Sequence, residues 1–130
     1  MSLRTPRFPL CFTARVVRGV GRGRTIGSPT LNLDPEEIPR TLKNGIYVCR
    51  IRWSRLTFAA AMHCGPRPVF ADTFACEVHV IDHPVRRAPT RVTVEVVRRL
   101  RNIRNFRSVA QLQKQIARDI EMVRKILKKG

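Results

Sequence analysis

Between Gly19 and Leu33 the chain reads GVGRGRTIGSPTLNL, with four glycines in nine residues and Arg22 and Arg24 among them. Glycine lets a backbone come close to a phosphate and take positive φ. Guanidinium groups add charge-assisted hydrogen bonds to phosphate oxygens. A polyphosphate ligand fits these residue types. Two familiar loops do not fit the spacing. A Walker A loop needs a Gly-Lys pair running into a helix, and the stretch has none. A dinucleotide fingerprint needs G-x-G-x-x-G; Gly21 and Gly23 match, but Ile26 holds the third position and Gly27 comes one residue late. Both loops require a helix next, whereas here Pro29 is followed by Thr-Leu-Asn-Leu, which alternates as a strand does. Thr30 and Asn32, two apart, then face the same way. Each offers a neutral oxygen suited to Mg²⁺, which keeps waters and takes further ligands from phosphate. The plainer alternative is a Gly-Arg hairpin turn with Thr and Asn there by chance, and the composition alone does not separate the two.

Other reactive residue types are few. Glu77 is the one acid inside the apolar run ACEVHVI, which Asp82 then closes. Cys76 and His79 form a C-x-x-H, but on a strand that spacing sets them on opposite faces, which argues against a zinc site. The four cysteines, Cys11, Cys49, Cys64 and Cys76, show no C-x-x-C pair. Nothing in the spacing suggests a secreted disulfide framework, and they read as small buried apolar residues in a reducing compartment, with a disulfide pairing as the open alternative. His79 is expected to be a structural, neutral imidazole with a backbone partner.

These residues need a scaffold, and the pattern supplies one. Short runs rich in Val, Ile and Thr predict strands at Cys11–Val17, Thr30–Leu33, Gly45–Trp53, Leu56–Gly65, Ala75–Asp82 and Arg91–Leu100. Between Asp34 and Asn44 lies a polar, proline-bearing loop, and Ser54-Arg55 forms a tight turn. In the third run Tyr47, Cys49 and Ile51 share one face, and Ile46, Val48 and Arg50 the other. From Ser108 the apolar residues Val109, Leu112, Ile116, Ile120, Val123 and Leu127 follow the helical period. Ser108 and Gln111 make a capping box at its start. The expected architecture is all-β, an antiparallel barrel or sandwich with one C-terminal helix packed on it. The 130 residues make one domain, 1–130, with the barrel over about 10–100 and the helix over about 108–128.

The order of these blocks resembles the ATP-dependent riboflavin kinases (flavokinases). Val16, Gly19, Gly23, Arg24, Gly27, Pro29, Thr30 and Asn32 stand in register with that family's first signature, with Ala14 in place of its opening Gly. GPRPVF, CEVHVID and LRNIRNFRSVAQLQKQIARDI are similar to its later blocks. The resemblance implies a six-stranded antiparallel Greek-key barrel with a C-terminal helix. It implies transfer of the ATP γ-phosphoryl group to the ribityl 5′-hydroxyl of riboflavin, giving FMN and ADP. Carried over residue by residue, Glu77 is the catalytic base, and Thr30 and Asn32 hold Mg²⁺, with Zn²⁺ as the other candidate metal. Gly19, Gly21, Gly23, Arg24, Gly27, Pro29 and Thr30 bind the nucleotide. Arg101 is assigned to flavin or nucleotide, against a solvated arginine as the alternative, and Asp119 to a structural role. The 130 residues hold no adenylyltransferase domain, so FMN without FAD is the expected product, with an excised domain as the alternative. Val69 replaces a family Thr, and the segment after Asp82 carries His83, Arg86, Arg87, Ala88 and Pro89 where the family has an acidic, Tyr-Gly-bearing turn. Those departures lie on the acceptor side and leave a flavin analogue open as acceptor.

Charge adds a second theme. Twenty-six basic residues oppose nine acidic ones, a net charge of +17. Such a chain attracts polyanions. The arginines are spread along the sequence, and the few aromatics are not interleaved with them as a stacking platform requires. The reading is therefore a solvated arginine-rich surface, with nucleic acid not the favoured partner. The alternative function is a drifted, kinase-like barrel that serves as a basic polyanion- or nucleic-acid-binding module. No run is long enough to span a membrane and the proline-broken N-terminus is no signal peptide, so the expected location is cytoplasmic.

Overall fold

The computed structural model of the chain describes residues 7–17, 30–66 and 74–129. The glycine-rich stretch before Thr30, and residues 67–70 of the GPRPVF block, lie outside them.

Six strands are described: β1 (Leu10–Val17), β2 (Thr30–Leu33), β3 (Gly45–Trp53), β4 (Leu56–Pro66), β5 (Phe74–Val80) and β6 (Arg91–Arg101). They close into an antiparallel barrel in the order β1-β2-β5-β4-β3-β6. Strands β3, β4 and β5 run as neighbours, and the 81–90 connection returns β6 to the free side of β3. That is the Greek-key order. Closure leaves no unpaired sheet edge among these strands.

The two-residue period decides what goes inside. Leu31, Leu33, Tyr47, Cys49, Ile51, Met62, Val78, Val92, Val94 and Val96 fill the barrel, nearly all fully buried. Each aliphatic side chain withdrawn from water contributes about 1.5–3 kcal/mol. Tyr47 keeps its hydroxyl satisfied by donating to the Lys43 carbonyl at 2.5 Å.

A second, smaller core lies outside the barrel, under α1 (Val109–Lys129). Val48 and Ala61 point outward from β3 and β4 and meet Val123, Ile120 and Leu127 of the helix, together with Ile81. This explains why β3 is apolar on both faces near its start and basic further along, at Arg50 and Arg52. Ser108 caps the helix by accepting from the Gln111 N–H at 3.2 Å. In return Gln111 Oε1 accepts from the Arg107 N–H at 3.2 Å, one residue earlier than the usual capping box. Two ion pairs pin the helix to the barrel: Arg101–Asp119, and Arg124–Asp82, whose Nε–Oδ2 contact is 2.9 Å. Asp82 has φ 60°. That left-handed turn ends β5 at Val80, two residues before the alternation alone predicts.

One expectation is corrected. The cysteines are not all free: Cys64 and Cys76 form a disulfide. Sequence spacing could not reveal it, because the β4–β5 register sets the two residues directly opposite, with Cα atoms 4.3 Å apart. That close approach marks a non-hydrogen-bonded pair of an antiparallel ladder. Of the other two, Cys49 is buried and Cys11 exposed.

Candidate active site

Strand register assembles the candidate residues into two adjacent rows. Asn32 of β2 pairs with Glu77 of β5, and Glu77 pairs on its other side with His63 of β4. One step along, Thr30 pairs with His79, and His79 with Ala61. Directly opposed residues lie about 5 Å apart at their Cβ atoms, and successive same-face residues about 7 Å apart. The intervening Leu31, Leu33, Cys76 and Val78 all point into the barrel. Thr30, Asn32, Glu77, His79 and His63 therefore share its outer wall.

The sequence placed Thr30 and Asn32 on one face, and the fold adds Glu77 beside them. It also adds His63, which no motif singled out. Its only signal was parity: His63 falls on the outward face of a strand whose even-spaced neighbour Ala61 meets the helix. Cys76 and His79 lie on opposite faces, Cys76 inside the barrel and His79 outside.

The two histidines are buried without full hydrogen bonding. Both ring nitrogens of His63, and Nδ1 of His79, lack a partner among the described residues. The expected backbone partner of His79 is thus not made at Nδ1. Burial pushes His79 down to about 4; His63 acts in the same direction and Asp119 opposes it. Burial likewise lowers His63, with Arg101 adding to it. Both rings are neutral at pH 7, so they place no positive charge beside Glu77.

Arg101 lies at the junction of barrel and helix. Its Nε donates to Asp119 Oδ1 at 2.9 Å, its Nη2 to Oδ2 at 2.7 Å, and its Nη1 to the Asn102 carbonyl at 2.8 Å. Gln115 donates to the same carboxylate at 3.0 Å. Arg101 is neither solvated nor loose: its side chain is 20% exposed and Asp119's 9%. This bidentate pair fixes the helix over the rows that hold the histidines. The glycines, Arg24 and Pro29 of the nucleotide-binding assignment lie outside the described residues.

Among the described residues no group of three or more His, Cys, Asp or Glu could hold a metal. The available donors are the neutral oxygens of Thr30 and Asn32 with one nearby carboxylate. Such a set suits a hard cation that takes most of its ligands from phosphate and water, and fits Mg²⁺ better than a metal needing histidine or thiolate.

The riboflavin kinase family model matches residues 6–127. The chain belongs to the riboflavin kinase family. A bifunctional riboflavin kinase/FMN adenylyltransferase of Buchnera aphidicola is 30% identical over 122 residues, covering 90% of this chain and 38% of that protein. The chain thus spans about two-fifths of the length of that curated relative. A Streptococcus pneumoniae structure described as a macrolide-efflux protein matches with TM-score 0.75 and 34% identity, covering 89% of this chain and 38% of the other. Riboflavin kinase from Trypanosoma brucei matches with TM-score 0.65 and 21% identity, covering 92% and 80%. At that identity the trypanosomal likeness concerns the fold, and it agrees with the six-stranded barrel and C-terminal helix. No helix among the described residues is long and apolar enough to cross a membrane.

Proposed function

We propose that this family member is an ATP-dependent riboflavin kinase, transferring the γ-phosphoryl group of ATP to the ribityl 5′-hydroxyl of riboflavin to give FMN and ADP. The observation that carries the reading is the direct Asn32–Glu77 pairing, with Thr30 on the same outer face. A metal-ligand pair and a carboxylate within one ladder step is what transfer to an alcohol asks for.

Phosphoryl transfer has a loose transition state, so positioning and charge neutralisation supply most of the rate. In this reading Thr30 and Asn32 hold Mg²⁺, which neutralises phosphate charge when bound. Glu77 accepts a hydrogen bond from the acceptor hydroxyl and aims its oxygen at phosphorus. A carboxylate with an ordinary pKa of about 4 is too weak to deprotonate a free alcohol. Glu77 instead receives the proton late, as the new O–P bond acidifies the hydroxyl and the β–γ bridging oxygen departs with ADP. Arg101, already oriented by Asp119, is assigned to the flavin side. Gly19, Gly21, Gly23, Arg24, Gly27 and Pro29 are assigned to the nucleotide phosphates.

The test is FMN formation from riboflavin and Mg-ATP, followed by chromatography. The parent protein should make FMN, and Glu77→Gln should lower kcat by about 10²-fold or more while leaving the fold intact. Thr30→Ala and Asn32→Ala should raise the metal concentration needed. Absence of FMN from folded parent protein, with either Mg²⁺ or Zn²⁺, would refute the assignment.

A further inference from the structure

Strand β6 lies diametrically across the closed six-strand barrel from β5, which carries Glu77. Over β6 and its neighbours β1 and β3 runs a cavity of about 720 Å³. Arg52, Arg55 and Arg91 line it, together with Trp53, Thr13 and Thr93, and no acidic residue does. Two carboxylates are engaged by neighbouring arginines: Glu95 with Arg50 at 3.0 Å, and Glu37 with Arg91 at 3.3 Å and the Arg15 N–H at 2.9 Å. Arg52 and Arg55 make no ion pair among the described residues. Both are exposed.

The turn that presents Arg55 is unusual. Ser54 and Arg55 have φ 48° and 66°. A two-residue hairpin with both φ positive favours Asn-Gly. Here the chain holds an arginine in the left-handed region, at the mouth of the groove. Trp53, the sole tryptophan of the sequence, lies beside it. Along the sequence the aromatics are not interleaved with the bases, but folding sets this one among three arginines.

We propose that this groove binds single-stranded nucleic acid, sequence-independently, through phosphate contacts from the unpaired Arg52 and Arg55, beside the Glu37-paired Arg91, and stacking of a base against Trp53. Single-strand binders combine a basic track with an aromatic face. Unpaired guanidinium groups suit phosphodiester oxygens. Arg52 and Arg55 contribute to the chain's net charge of +17 without a carboxylate to offset them among the described residues. The site is separate from the kinase reading and stands or falls without it.

The experiment titrates the 130-residue protein with fluorescein-labelled 20-nucleotide poly(U) RNA. Anisotropy and the emission of Trp53 are both read between 50 and 200 mM salt. Binding should quench Trp53. Arg52→Ser/Arg55→Asn should weaken binding at least tenfold and lower the slope of log K against log[salt] by about 1.4, at about 0.7 per phosphate contact. Asn suits the left-handed turn, so the variant should fold, and FMN formation should be unchanged. The control variant Lys125→Ser/Lys128→Ser removes equal charge from the helix and should weaken binding far less. Equal weakening by both variants, binding without Trp53 quenching, or binding to anionic phosphatidylserine vesicles but not to RNA would each overturn the proposal.

Discussion

His79 should make the protein lose stability on mild acidification. Its unfolded pKa is 6.5 and its folded value about 4, set first by burial. The unfolded chain therefore binds the proton more readily than the native one. Stability from this group is full above pH 6.5, falls as pH drops from 6.5 to 4, and is flat below that. At 1.36 kcal/mol per unit, the full loss is about 3 kcal/mol, of which about 2 kcal/mol falls between pH 7 and pH 5. The surrounding groups do not reverse the sign: His63 is shifted the same way and adds to the loss. Asp34 and Asp82 are held below 3.8, Asp34 chiefly by the Glu36 N–H and Asp82 by Arg124, so they stay ionised over this window. Urea unfolding in metal-free buffer at pH 5, 6 and 7 measures the slope directly. His79→Asn should flatten it and leave only the smaller His63 contribution. Equal losses in parent and variant between pH 7 and pH 5 would refute the reasoning.

Three further outcomes follow from contacts already described. Asp119→Leu leaves the mostly buried Arg101 guanidinium without its carboxylate, and should cost about 3 kcal/mol. The Arg101→Met/Asp119→Leu double variant should cost clearly less than the two single changes summed; simple additivity in urea melts would argue against a coupled pair. In guanidinium without reductant, two of the four cysteines should react with a thiol reagent, and all four after reduction. Reduction should lower stability by about 3 kcal/mol, and four reactive thiols at the outset would contradict the bond. Gly65 has φ +143°, and an added Cβ would lie 2.3 Å from Ile103 Cδ1. Gly65→Ala should destabilise by about 2 kcal/mol, and an unchanged melting temperature would count against that strain.

The alternation of Tyr47, Cys49 and Ile51, and the helical spacing from Leu112 to Leu127, carried the barrel and its helix because burial enforces those periods. The strand boundaries came within a residue or two, and Asp82 was missed because a left-handed residue leaves no mark in hydrophobic pattern. The pairing of Thr30 with Asn32 was legible as local parity. The neighbours of Glu77 were not: the register between β2, β5 and β4 depends on long-range packing. For the same reason His63 carried no signal and the Cys64–Cys76 bond was invisible. Arg101 was legible as a position in a motif, but its grip on Asp119, eighteen residues later, required the helix to be docked. The basic groove likewise exists only once β1, β3 and β6 are side by side.

The Cys64–Cys76 bond stands one residue from both His63 and Glu77, and it points inward where they point outward. A slip of β5 by one residue would turn Glu77 into the apolar interior and Cys76 out to water. The two sulfurs would then no longer meet. The bond can close only in the register that sets Glu77 between Asn32 and His63. It works as an index mark for the wall that carries the carboxylate, and its formation reports that the strands have come together in step.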